Sequence, residues 1–111
     1  MTLKEELRRD FLAKQCTRQQ ENADFVAQQA SKWTESLTKL LRDAAKEAEG
    51  LISCCLQPFN NQTTLFRYLY RLTADEVAKY FREQGLQVQT FETIVHDELY
   101  MNFKISGWAD E

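Results

Sequence analysis

Residues 47–58 read EAEGLISCCLQP, and the change of rhythm inside them decides the fold. Up to Gly50 the apolar residues recur at helical spacing. From Leu51 they alternate: Ile52, Cys54 and Leu56 fall on one side, Leu51, Ser53, Cys55 and Gln57 on the other, until Pro58 ends the run. Period two marks a strand and period 3.6 a helix. The sequence therefore predicts a helix that stops at Gly50 and a short strand that follows it.

Working back from Gly50, no glycine or proline occurs between Thr2 and Glu49. Thr2 and Glu5 form the S/T-x-x-E capping box of a helix start. Val26, Ala30, Trp33, Leu37, Leu40, Ala44 and Leu51 are spaced by threes and fours, apart from Glu47 at one expected apolar position, in a heptad-like stripe that extends backward through Ala23, Gln19, Cys16 and Leu12. Leu3, Leu7 and Phe11 form a second stripe that does not align with the first. Either one helix changes its buried face, or two helices meet near Glu21–Asp24. A single helix here is roughly 70 Å long at 1.5 Å per residue. The remaining chain makes a globule only about 25 Å across and cannot cover it. The helix must fold back as a hairpin within the monomer, or project and pack on another chain. The second reading is preferred, with Val26, Ala30, Trp33, Leu37 and Leu40 as the self-association or partner face.

Working forward from Pro58, Thr63 or Thr64 can cap a helix over LFRYLYRL. Thr73 and Glu76 form a further capping box, with Leu72 and Val77 as its hydrophobic staple, so a helix start is expected at Thr73. That helix ends at Gln84, with Gly85 as the left-handed residue and Leu86 touching Phe81. LQVQTFETIV and LYMNFKIS alternate as strands, the second with Leu99, Met101, Phe103 and Ile105 on one face. The polar HDE between them reads as a hairpin turn. The expected fold is α+β: a long N-terminal helix or helical hairpin, then a small mixed three-stranded sheet covered by one or two helices. Residues 1–49 form the helical arm and residues 50–111 the small module.

The totals narrow the function classes. The chain has 111 residues, about one domain. Its net charge of −3 and pI near 5.2 give no global attraction to nucleic acid. Residues 1–50 carry nine basic and nine acidic side chains, whereas residues 85–111 carry one basic and five acidic. No apolar run approaches the roughly 20 residues of a membrane span, and MTLKEELRRD lacks the apolar core of a signal peptide. The expected location is inside a cell, or packaged from inside one, with no secretion and no membrane. Three cysteines without framework spacing fit free thiols in a reducing compartment.

Specific chemistry finds little to stand on. Zinc sites pair Cys or His two to four residues apart, but Cys54 and Cys55 are adjacent and on opposite faces of a strand. A redox dithiol reads C-x-x-C at a helix N-terminus, which SCC does not. Both are better read as small apolar residues in a sheet. His96, the single histidine, lies in a turn beside Asp97 and Glu98. No nucleophile elbow or phosphate-binding glycine loop is present. The pattern implies no enzyme, metal or cofactor. The alternative to self-association is a nucleic-acid-associated regulator: Arg67, Arg71, Lys79 and Arg82 interleave with Phe66, Tyr68, Tyr70, Tyr80 and Phe81. Asp75, Glu76 and Glu83 leave that segment close to neutral.

AKEAEGLISCCL, ADEVAKYFREQGLQVQ and LYMNFKISGW, within residues 45–108, together resemble the C-terminal module of small uncharacterised proteins of tailed bacteriophages. Those proteins share an Ala-rich helix end with Gly, a short strand, a helix closing in a GY-x-V-like turn, and a last strand ending in ISW. Here Leu86 stands where the aromatic usually does, and Gly107 is inserted before Trp108. The resemblance implies the fold and a phage or prophage origin, and no catalytic residue.

Overall fold

The structure is a computed structural model that describes residues 2–60 and 62–109; Asn61, within the expected loop, lies outside the described residues. Its elements are α1 (Leu3–Lys46), β1 (Leu51–Leu56), α2 (Thr64–Glu83), β2 (Gln87–Val95) and β3 (Glu98–Ser106). The fold is α+β. Leu3–Lys46 is one unbroken helix and not a hairpin. Its 44 residues span about 66 Å at the usual helical rise, and the molecule's longest axis is 68 Å. The Thr2–Glu5 capping box opens α1. Its end differs from expectation. Ala48, and not Gly50, takes the left-handed conformation (φ 59°). Glu49 and Ala48 then donate back to the carbonyls of Ala44 and Ala45, closing a Schellman motif.

The sheet runs β1-β3-β2 and is antiparallel throughout, where the sequence reading expected a mixed sheet. β1 and β2 are thus parallel edge strands, with β3 between them and α2 as the crossover. α2 is also continuous: Thr63 caps it, and Thr73 sits buried in mid-helix, its hydroxyl donating to the Leu69 carbonyl at 2.8 Å. The expected helix start at Thr73 is corrected. On a helix that is already running the Leu72/Val77 pair is no staple: Val77 faces the core, while Leu72 is half-buried and lines a cleft against α1. Gly85 (φ 88°) closes α2 as expected, with Leu86 donating to the Phe81 carbonyl. His96 and Asp97, with φ of 51° and 63°, form the two-residue type I′ turn between β2 and β3.

The core lies between one sheet face and the two helices. Central strand β3 contributes Leu99, Met101, Phe103 and Ile105; α2 adds Tyr70, Ala74, Val77 and Phe81. α1 adds Ala30 and Leu37. Tyr70 ties the layers together: its hydroxyl donates to Leu56 O on β1 at 2.5 Å and accepts from Met101 N on β3 at 2.9 Å. Gly107 (φ 113°) turns the chain after β3, and Trp108 Nε1 then donates to the Glu49 carbonyl at 2.8 Å, fastening the end of the sheet to the α1–β1 link. No helix among the described residues is long and apolar enough to cross a membrane.

Candidate interaction surface

An amphipathic helix is stable in water when something covers its apolar stripe. α1 meets that condition over half its length. Every described residue up to Glu21 is exposed, and Val26 is the first to be buried. Beyond it Ala30, Leu37 and Ala44 are buried against α2 and the sheet. The arm and the globule therefore part inside α1, near residue 24, and not at Gly50. On the arm, Leu3, Leu7 and Phe11 are 70%, 61% and 65% exposed. They recur every four residues and face water.

This distribution corrects the expected interface. Val26, Ala30 and Leu37 are buried in the chain's own core, because α2 is long enough to lie beside α1 and take up that stripe. Trp33 packs partly against the same core. Leu40 alone of the five stays open, at 48% exposure. The stripe that remains available is Leu3, Leu7 and Phe11. The sequence shows that stripe; it does not show which of the two stripes the small module can reach.

Where α1 enters the globule, its rings meet others. Phe25 lies 5.2 Å from Phe59 and 6.0 Å from Phe66, centroid to centroid and edge to face, and Phe59 continues to Tyr70 at 5.5 Å. Phe25, Trp33, Phe59 and Phe66 also line an open cleft of about 400 Å³ beside the α1 surface. Further along the same helix Leu40 and Asp43 border a second cleft of about 360 Å³, shared with Ile52 and Cys54 of β1. A third, of about 730 Å³, runs between α1 and α2, with Ala27, Thr34, Thr38 and Tyr80 among its lining residues.

The arginines of the alternative reading face the chain's own hairpin. Arg71 Nε pairs with Glu92 at 2.7 Å, Arg67 donates to the Asp97 carbonyl, and Arg82 donates to the Val88 carbonyl at 3.0 Å. Lys79 is exposed and makes no ion pair among the described residues. These four do not form a free basic face.

No family model, curated protein or solved structure matches the chain.

The cysteines are free thiols. Cys54 is half-buried on the core side of β1, and burial, with the neighbouring Cys55, pushes its thiol pKa up. Cys55 is exposed on the open sheet face, and its pKa is also raised by partial burial. Cys16 lies on the exposed arm. Among the described residues no cluster of three or more His, Cys, Asp or Glu side chains is arranged to hold a metal ion.

Proposed function

We propose that this chain is a small, non-enzymatic protein of the phage type that works by protein–protein contact and associates with itself through its N-terminal helix, as a virion component or a factor directed at a host protein. The phage assignment rests on the strand, helix-turn and closing-strand motifs alone. One observation carries the self-association: a helical arm of some twenty residues leaves the globule with Leu3, Leu7 and Phe11 facing water. A helix of this length and polarity is marginal by itself. Covering each of these side chains is worth roughly 1.5–3 kcal/mol, and a symmetric contact counts them twice. That sum offsets the several kcal/mol that association costs in lost freedom.

Sedimentation equilibrium of the full chain tests the proposal. The chain should be larger than a monomer at micromolar concentration, and Leu7→Glu with Phe11→Glu should return it to monomer without loss of the folded globule. A wild-type chain that stays strictly monomeric at high micromolar concentration contradicts it.

A further inference from the structure

We infer that the arm of one copy lies antiparallel on the packed half of α1 in a second copy, along the side of α1 that borders β1, so that two reciprocal contacts close a two-fold dimer. This rests on the self-association proposed above and adds which surface receives the arm, and in what direction.

The first ground is the rotation of side chains about α1. At 3.6 residues per turn, Leu7 and Phe11 on the arm share one face, within about 80°, with Phe25, Trp33 and Leu40 on the packed half. Phe25 and Trp33, with Gln29, reach the cleft beside the 57–60 loop, and Leu40, with Asp43 and Ala44, reaches the one beside β1. Two straight helices paired about a two-fold axis use the same face along their whole length. The arm's apolar face therefore selects this side. The larger α1–α2 cleft does not qualify. Its Ala27, Thr34 and Thr38 lie about 180° round the helix from the arm's stripe, so no single straight partner could use both.

The second ground is length. Leu3–Asp24 and Phe25–Lys46 are each half of the 44-residue helix. An antiparallel partner with its two-fold axis near residues 23–24 lays each arm fully along the other's packed half. The globules then sit at opposite ends, and no edge is left open for further growth.

The third ground is charge. Setting Leu7 against Leu40 of the second copy puts Phe11 against Ser36, a small residue that leaves room for the ring, and Lys4 against Asp43. Along the adjoining flank, offset from that register by two residues or about 3 Å of helix rise, Asp10 comes nearest Lys39 and Lys14 nearest Glu35. All six of these charged residues are exposed in the single chain, and among the described residues none is ion-paired except Asp10, which lies 3.8 Å from its neighbour Arg9. Each opposes its complement, and the two-fold axis repeats every pair.

Charge exchange across the contact tests this register in the full chain. Asp10→Lys alone and Lys39→Asp alone should each raise the dimer dissociation constant about tenfold, since each change turns two attractions into repulsions. The double variant should restore it to near the wild-type value. Direction is read separately with a spin label at Arg9→Cys, on the solvent side of the arm, in a chain carrying Cys16→Ser, Cys54→Ala and Cys55→Ser. Antiparallel docking places the two labels about 45 Å apart along the helix axis; arms paired in parallel bring them within about 20 Å. A dimer that forms but shows no rescue by the double variant, or shows the short distance, overturns this docking and leaves self-association standing. A wild-type chain that never associates overturns both.

Discussion

The two halves of α1 are one hydrogen-bonded helix with different fates. From Phe25 onward its apolar stripe lies against α2 and the sheet. Before Asp24 its apolar residues face water. Helix formation is thus shared by both halves, while stabilisation by packing is not. The contrast teaches that the length of a helix and the extent of its cover are set by different parts of the sequence. Capping and the absence of breakers fix the first. The size of the module that follows fixes the second.

The largest expected effect breaks the contrast directly. Leu37, 1% exposed, should cost about 2–5 kcal/mol when replaced by alanine, read as a lower midpoint in urea unfolding. Leu7→Ala should change stability by less than about 0.5 kcal/mol in dilute solution and leave that midpoint nearly unmoved. Equal effects would mean the arm belongs to the cooperative unit.

Next comes Tyr70 of α2, whose hydroxyl bonds to two neighbouring strands of the sheet, β1 and β3. Tyr70→Phe removes the phenol's hydrogen bonds to the Leu56 carbonyl and from the Met101 N–H and should cost about 1–3 kcal/mol. Burial pushes the phenol pKa up from 10 to about 12. The folded state therefore keeps a proton that the unfolded state releases. This contribution is intact below pH 10 and is lost as pH rises toward about 12, an effect on the order of 2 kcal/mol. The wild-type loss over that window should exceed the loss in Tyr70→Phe, which carries no such group.

The helix caps sharpen the same comparison at smaller scale. Thr63→Ala, at the start of the packed α2, should lower global stability by about 1 kcal/mol. Thr2→Ala removes the capping box of the arm and should only fray its first turns, seen as a small loss of far-ultraviolet helix signal with an unchanged unfolding midpoint. Smallest in energy, though plain in rate, is thiol labelling. Cys16 and Cys55 should react under native conditions well before half-buried Cys54. The rates at Cys54 and Cys55 should rise with pH across the alkaline range, because both thiols are held above their usual pKa.

Much of this architecture is legible in local signals. The alternation of residues 51–56, the Thr2–Glu5 box, the Gly85 turn and the alternating pattern of β3 each rest on a few neighbouring residues, and each matches the structure. The failures share one cause: a local signal with two structural meanings. Thr73-x-x-Glu76 carries the residues of a helix start, yet a threonine inside a helix can return its hydroxyl to the turn below, as Thr73 does. Gly50 resembles a helix stop, but the left-handed position fell two residues earlier, on Ala48, and a side chain at Gly50 would instead press on Ala109 at 3.0 Å. The interface residues were misplaced for a longer-range reason. Periodicity reveals that Val26, Ala30 and Leu37 need a cover; that α2 supplies it depends on a helix twenty residues long, which the misread start at Thr73 had shortened.

Amide hydrogen exchange on the full chain, followed from low to high micromolar concentration, tests the central claim most directly. The account predicts that amides of the packed half of α1 are protected at every concentration. Those of the arm should exchange quickly in dilute solution and slow as concentration rises, together with amides beside the Phe25–Leu40 face. Arm exchange that stays fast and independent of concentration, in a chain whose globule is fully protected, would contradict it.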